Sequence, residues 1–232
     1  MKIADMTWMQ VEKYLESDDR CVLPLGSVEQ HAYLSLAVDA ILSETVAVDA
    51  AEPTGVPVFP AVAYGLTPYF MGYPGTVTLT PDTYGRVLRE ILNSLEHHGF
   101  RRIVVVNGHG GNRDGRPAVD EWAGERPHVS LRWHDWWAAE DTMAAVRVID
   151  SEASHASWME GFAWTQVEGV EAPGGHKAAV DLSDREDLSA SQLRERLGDG
   201  SFGGYYTRPE EDLQRVWSVA VAETRQVIEG NW

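Results

Sequence analysis

Two apolar runs of strand length pass directly into loops that carry glycine together with carboxylate or imidazole side chains. Cys21–Leu25 ends at a glycine and is followed closely by Glu29 and His31, and Ile103–Val106 continues into a loop that contains His109. Short apolar runs bounded by turn residues are typical of buried strands. Open α/β sheets place their chemistry at the carboxyl ends of such strands, so the pattern predicts a functional site there.

The rest of the chain alternates between strand-like and helix-like segments. Helices are expected over residues 39–51, 81–98 and 115–124 and from 209 onward, and further strands over 56–60, 76–79 and 129–133. Helix 81–98 has the clearest limits, because Thr80 can cap it, Pro81 suits its first turn and Gly99 ends it. The alternation predicts a layered α/β sandwich with a mainly parallel sheet. No repeat or linker divides the sequence, so a single domain over residues 1–232 is expected.

The charge balance excludes several classes of partner. The 232 residues include 19 Lys and Arg against 36 Asp and Glu, a net charge of −17. Such a surface repels nucleic acid and anionic lipid, so neither is expected as a partner. One cysteine, Cys21, rules out an intrachain disulfide and a thiolate-rich metal cluster. No signal peptide or membrane span is visible, so a soluble cytoplasmic protein is expected.

The polar loops have the composition of a metal site without sulfur ligands. Glu29 and His31 are one residue apart, so both side chains leave an extended loop on the same side. Such a pair alone is more often explained by a surface loop. The loop around His109 sharpens the metal hypothesis, because its glycines permit close approach of backbone and ligand. A phosphate-binding loop is disfavoured, since no Lys or Arg follows at the required spacing.

Several of these segments together resemble the creatininase (creatinine amidohydrolase) family. They occur in the family's order between the first strand and about residue 160, and no family motif is evident beyond residue 170. The segments are Leu23–His31, Asp39, Tyr73–Val77, Asn107–Asn112 and the stretch from Ser154-His155-Ala156 to Glu160.

The resemblance implies a centre of two divalent ions and a proton-transfer residue. Asp39 matches the carboxylate that bridges the ions, and His155 matches the histidine that transfers the proton. Zinc, manganese and iron(II) are all compatible with nitrogen and oxygen ligands. The family also implies a homo-oligomer, with a hexamer expected. The implied metal ligands are Glu29, His31, Asp39, His109 and Glu160.

The sequence departs from the family pattern around the expected pocket. The segment from Ala32 to Val38 lacks a second histidine and is one residue short, and Trp158 and Gly161 replace a glutamate and a threonine. A glutamate that creatininases carry after the Asn-Gly-His histidine is Gly111 here, so Glu160 is taken as its substitute. Asp39 also precedes a helical stripe, where its alternative role would be an N-cap. These changes affect the substrate more than the metal chemistry.

A dense aromatic cluster at 134–137 has two interpretations. Its tryptophans either pack beneath a loop or form a pocket wall, as tryptophans do in creatininase. Tyr33 and Trp158 lie near the motifs, and His176 lies in a glycine-rich loop that could touch a ligand. The candidate substrate-binding residues are therefore Trp136, Trp133, Tyr33, Trp158 and His176.

The expected activity is hydrolysis of a C–N bond in a small cyclic amide or formamide by a hydroxide that bridges two metals. One alternative keeps the metals and opens the ring of a diketo-inositol by C–C hydrolysis. Another is a non-catalytic binding or scaffold protein on the same fold. The sequence identifies neither the metal nor the substrate.

Overall fold

Seven α-helices, five strands and seven short 3₁₀ helices make up the regular structure of the computed structural model, which describes residues 1–232. No helix is both long and apolar enough to cross a membrane, and a cytoplasmic location stays a prediction. In chain order the elements are α1 (Trp8–Leu15), β1 (Arg20–Leu25), α2 (Val38–Ala51), α3 (Pro81–His98), β2 (Arg102–Asn107), α4 (Arg116–Gly124), β3 (Ser130–Asp135), α5 (Glu140–Ile149), β4 (His176–Lys177), α6 (Ala190–Leu197), β5 (Gly204–Tyr205) and α7 (Glu210–Glu229).

The central sheet consists of β1, β2 and β3 in sequence order, and all its strands are parallel. Leu25 is paired with Asn107, and Asn107 with Asp135, so the carboxyl ends of the three strands form one edge. The loops that leave this edge are therefore neighbours in space. The predicted α/β fold with a parallel sheet is confirmed.

Helices cover both faces of the sheet. Val104 and Val106 belong to a core with α2, α5 and α7, whereas Ile103 and Val105 belong to a second core with α3 and α4. This division follows from the two-residue period of a strand, which sends alternate side chains to opposite faces. Strands covered on both faces read as continuous apolar runs, and that is how β1 and β2 were recognisable.

The predicted limits of α3 are confirmed. The Thr80 side chain accepts a hydrogen bond from the Thr83 backbone N–H, and Pro81 occupies the first turn. Gly99 ends the helix with φ of 108°, a left-handed conformation that suits glycine. The final helix α7 likewise follows Pro209, with three acidic residues in its first turn.

Two predicted strands are present only as isolated bridges. Val58 pairs with Val22, and Val62 pairs with Leu25, both parallel to β1. Proline has no N–H to donate, so Pro57 and Pro60 prevent a continuous ladder there. Within residues 76–79, Val77 alone forms a bridge, antiparallel to Val28.

The sequence analysis did not predict three short helices, α1, α5 and α6. Two of them begin with a capping box, formed by Thr7 with Gln10 and by Ser189 with Gln192. In this motif the two side chains bond reciprocally to backbone N–H groups at the helix start. The motif was readable in the sequence and would have indicated both helices.

Candidate metal centre

The predicted ligands converge at the carboxyl edge of the sheet. Glu29 and His31 lie in the loop after β1, Asp39 lies in the first turn of α2, and His109 follows β2 directly. Gly26 lets α2 begin beside the end of β1, because a Cβ at this position would overlap the backbone of Ala40. The carboxylate of Asp39 is thereby brought beside the two loops.

Glu29, Asp39 and His109 form a first group of potential ligands. His109 Nδ1 lies 3.3 Å from Glu29 Oε1 and 2.9 Å from Asp39 Oδ2. All three side chains are buried. Two carboxylate oxygens and one imidazole nitrogen therefore point at one position.

A second group contains His31, Asp39 and Glu160. His31 Nε2 lies 3.2 Å from Asp39 Oδ1 and 4.0 Å from Glu160 Oε2. Asp39 thus offers one oxygen to each group, which is the arrangement of a carboxylate that bridges two ions. The five residues expected to be ligands thus lie in two groups that share Asp39.

Hydrogen bonds to neighbouring residues orient the side chains of Asp39, His31 and His109. Ser27 Oγ donates to Asp39 Oδ2 at 2.9 Å. His31 Nδ1 lies 3.2 Å from the Glu29 carbonyl, and His109 Nε2 lies 3.0 Å from the Leu66 carbonyl. A proton on each of these nitrogens would be donated to the carbonyl and would leave the other ring nitrogen free to ligate, as is usual for metal-bound histidines.

The loop after β2 is braced by its two asparagines. Asn107 Nδ2 donates to the His109 carbonyl, and Asn112 Nδ2 donates to the Asn107 side chain and the Gly26 carbonyl. Gly111 admits no side chain here, because a Cβ would overlap the Leu66 carbonyl and lie 2.7 Å from His109 Nε2. This crowding explains why no ligand is supplied from position 111.

Two buried polar atoms in the site form no hydrogen bond, Glu29 Oε2 and His31 Nε2, although the second lies 3.2 Å from Asp39 Oδ1. Buried polar atoms are nearly always paired, so an unpaired carboxylate oxygen beside an unpaired imidazole nitrogen calls for an absent partner. Three carboxylates converge here without a Lys or Arg among them. The residues present therefore fit divalent cations.

The electrostatics of the site lead to the same requirement for positive charge. Burial alone would lower the pKa of His31, but Asp39, Glu160 and Glu29 outweigh it and raise the pKa to about 9. Burial likewise opposes a charged His109, and Glu29 and Asp39 raise its pKa well above the usual value. Burial raises the pKa of Glu160 to about 7. In a site of this kind, protons and metal ions compete for the same ligands.

His155 lies next to the ligands and is enclosed by rings. Its ring centroid is 4.4 Å from that of His31 and 4.9 Å from that of Phe70. Its Nδ1 is 3.8 Å from Glu29 Oε1, and its Nε2 is 3.1 Å from the Gln30 carbonyl. Burial, then the neighbouring His31, lowers its pKa well below the usual value. His155 could also complete a third ligand group with Glu29 and His31.

Backbone strain is concentrated beside two site histidines. Ala32 and Ala156 are the only non-glycine residues with positive φ, at 50° and 57°. Each directly follows a histidine of the site, and the Ala156 N–H donates to Glu160 Oε2 at 2.6 Å. Left-handed conformations cost free energy in residues with a Cβ and cluster at functional sites.

A cavity of about 410 Å³ opens onto the predicted metal ligands. Its volume is within the range of small-molecule sites. Glu29, Asp39, His109, His155 and Glu160 all line it. The apolar and aromatic part of the wall comprises Tyr69, Phe70, Trp137, Ala138, Met143, Ala153, Met159, Leu182, Leu193 and Phe202.

The three tryptophans proposed for substrate binding are not on this wall. Trp136 packs in the core against Trp217, and Trp158 is buried with its Nε1 bonded to Asp150. Trp133 packs against the α3 and α4 side of the sheet and donates to Asp135. The neighbours in sequence, Trp137 and Met159, line the cavity in place of Trp136 and Trp158.

Tyr33 and His176 are also outside the cavity wall. Tyr33 packs edge-to-face against Tyr206, and His176 packs edge-to-face against Tyr205 and lies 3.4 Å from Asp150 Oδ1. His134, another member of the aromatic cluster, is buried in β3 with its Nε2 3.0 Å from Thr224 Oγ1. All three side chains make contacts away from the ligands.

The cavity wall includes residues that sequence reasoning did not identify. Tyr69 and Phe70 come from the loop before α3, and Tyr69 Oη lies 3.3 Å from His109 Nε2. Leu182, Leu193 and Phe202 come from the last third of the chain, where no motif was visible. The glycine- and proline-rich loop around Tyr69 was a usable signal, because binding residues are frequent on such loops.

Comparison with known proteins agrees with this geometry. A sequence model of the creatininase family, creatinine amidohydrolase, matches residues 4–227. The chain belongs to the creatininase family. The match covers nearly the whole sequence, including the C-terminal part in which no family motif had been found. The expected family membership is thus confirmed.

Three curated relatives match the chain over less than half of their own length. Creatinine amidohydrolase of Pseudomonas putida is 33% identical over 46% of this chain and 44% of its own. 3-Dehydro-scyllo-inosose hydrolase of Thermotoga maritima is 32% identical over 45% of this chain and 34% of its own. Mycofactocin precursor peptide peptidase of Mycolicibacterium smegmatis is 39% identical over 39% of each chain.

Solved creatininase structures share the fold over almost the full chain. One described as creatininase Mn superposes with a TM-score of 0.76 at 20% identity, covering 98% of this chain and 96% of its own. A variant described as the Zn-Zn type has a TM-score of 0.77 at 20% identity with the same coverage. At this identity the likeness establishes the fold alone.

Proposed function

We propose that this protein is a metal-dependent hydrolase that cleaves a C–N bond in a small cyclic amide or formamide. The observation that carries the proposal is the pair of ligand groups that share Asp39 and contain two unpaired buried atoms. A cavity of small-molecule size leads to them. Burying three carboxylates without a cation costs free energy, and a scaffold role would not offset that cost.

Two divalent ions are proposed in this centre. Glu29 and His109 would hold one, His31 and Glu160 the other, and Asp39 would contact both. When bound, such ions polarise a carbonyl group and lower the pKa of water toward neutrality. Zinc, manganese and iron(II) all suit this set of oxygen and nitrogen ligands. Creatininases described as Mn and Zn-Zn support the first two.

His155 is assigned to proton transfer. It lines the cavity beside the ligands, with its Nε2 2.9 Å from the Gln30 side-chain Nε2 and its Nδ1 3.8 Å from Glu29 Oε1. Water adds to the carbonyl carbon and gives its proton to the imidazole. The imidazole then returns the proton to the nitrogen as the C–N bond breaks, so that a carboxylic acid and an amine result.

The cavity wall supports this chemistry by excluding water. Phe70 stacks on His155, and Phe202 packs against the same ring at a tilt of 50°. Tyr69 and Trp137 add aromatic surface beside His109 and the glycine loop. Charged groups interact more strongly in such an apolar enclosure than in water.

Hydrolysis of a C–C bond in a diketo-inositol ring is the second candidate. It is supported by the similarity to 3-dehydro-scyllo-inosose hydrolase, and it needs the same polarised carbonyl. The names of two other relatives, an amidohydrolase and a peptidase, refer to C–N bonds. They favour the amide reaction for this chain.

A reconstitution assay tests the proposal. Chelated protein should be inactive, and addition of zinc, manganese or iron(II) should restore hydrolysis of at least one substrate among creatinine, other lactams and formamides. Glu160→Gln should remove this activity, while Glu168→Gln, at an exposed position outside the cavity, should not. Activity that survives complete metal removal would contradict the proposal, and turnover of diketo-inositol rings alone would favour the second candidate.

A further inference from the structure

Two arginines line the cavity that contains the metal ligands. Arg147 lies in the last turn of α5, and Arg185 lies between β4 and α6. Both residues are exposed to solvent along part of their length. Two basic residues from separate elements therefore line one cavity.

Neither arginine side chain forms a hydrogen bond or an ion pair within the chain, which is unusual in a protein with 36 acidic and 19 basic residues. Fifteen of the 19 Lys and Arg side chains lie within 4.0 Å of a carboxylate or bond to a backbone carbonyl. The remaining four are arginines, and two of them line this cavity. These four are Arg86, Arg147, Arg185 and Arg215.

The rest of the wall gives the arginines no charged counterpart except the metal ligands. Apart from Glu29, Asp39 and Glu160, no carboxylate lines the cavity, and most other wall residues are apolar or aromatic. The cavity thus has carboxylates that are suited to bind metal ions and, separately, two arginines that are suited to bind an anion. Guanidinium groups match carboxylates in a planar two-bond geometry.

We propose that Arg147 and Arg185 select substrates that carry a carboxylate. The substrate class would be an amide or formamide with a carboxylate outside the scissile bond, whose anion the arginines bind while the amide carbonyl meets the metal centre. This inference rests on the proposed amide hydrolysis and names its substrate class. It also accounts for two unpaired cations in a chain of −17 net charge.

A different role would be to offset the field of the buried carboxylates without contacting substrate. In that case the arginines would act equally on neutral and anionic substrates. Selectivity between two substrates that differ only in charge therefore separates the two roles. Suitable pairs are N-formylglycine with N-formylglycinamide, and hydantoin-5-acetate with its primary amide.

The experiment compares kcat/KM for the two members of each pair in metal-reconstituted protein. We expect the wild type to prefer the carboxylate, and the double variant Arg147→Gln/Arg185→Gln to lower that preference about tenfold to hundredfold, as expected for lost charge-assisted hydrogen bonds. The matched control is Arg86→Gln/Arg215→Gln, which removes the same charge outside the cavity. It should leave the preference at the wild-type value.

An unchanged preference in the cavity variant, or an equal fall in the control, would overturn the inference while leaving amide hydrolysis intact. If no amide is turned over, calorimetric titration with glutarate and with glutaramide decides independently. Tighter binding of glutarate that is lost in the cavity variant but kept in the control supports the inference. Equal binding of both compounds, or equal glutarate binding by all variants, overturns it.

Discussion

Asp39→Asn replaces one carboxylate oxygen of the proposed bridging ligand with an NH2 group and leaves the shape of the side chain intact. The carboxylate contacts His109 Nδ1 at 2.9 Å, His31 Nε2 at 3.2 Å and Ser27 Oγ at 2.9 Å. Its alternative role as a helix cap is not supported, because Ala37 occupies the N-cap position of α2 and no side chain caps it. Asn can keep the Ser27 contact and the packing, so we expect the fold to persist.

The expected loss in metal affinity is large. Replacing a group that merely supports a ligand costs about tenfold to hundredfold in affinity. A ligand common to both groups should cost at least about a hundredfold, or about 2.7 kcal/mol. A neutral amide also cannot offset the charge of two dications. At least one ion per chain should be lost, together with nearly all activity.

Elemental analysis after dialysis against buffered metal, with circular dichroism to monitor the fold, measures this effect. Asp49→Asn is the matched control, because Asp49 lies on the same helix and bonds to Trp217 outside the cavity. Retained metal and activity in Asp39→Asn would refute the bridging role. Asp135 is then a poor substitute, since its oxygens already bond to Asn107 and Arg113.

Three further predictions follow from the site and the family. His155→Ala should keep its metal and lose about 10²–10⁴-fold in kcat; loss of an ion would make His155 a ligand. Ala32→Gly relieves a φ of 50° and should raise the free energy of unfolding in urea by up to about 1 kcal/mol. The control Ala144→Gly in α5 should lower it by about 1 kcal/mol. An equal fall in the free energy of unfolding of both variants would refute the strain at Ala32. We expect a hexamer, and a monomeric mass by light scattering would contradict it.

The ligand set could be predicted because its residues directly follow strands that can be recognised in the sequence or lie in recognisable motifs. Apolar runs identified β1 and β2, and parallel strands bring their carboxyl ends to one edge, so Glu29, His31 and His109 were expected to meet. The family resemblance added Asp39, His155 and Glu160. These residues are local to recognisable motifs. The structure places five of them on the wall of one cavity and His31 beside Asp39 and Glu160.

The cavity wall could not be predicted in the same way. Trp136 and Trp137 are adjacent and chemically identical, and the turn after β3 decides which one lines the cavity. The same holds for Trp158 and Met159. Leu182, Arg185, Leu193 and Phe202 reach the site through long-range packing of the last third of the chain, which local patterns do not encode.

The most direct test of the central claim is a crystal structure of metal-reconstituted protein with anomalous scattering data at the edge of the added metal. We predict two peaks per chain, with Asp39 bonded to both, Glu29 and His109 at one, and His31 and Glu160 at the other. A single peak, no peak, or peaks away from these five residues would contradict the proposed two-metal centre.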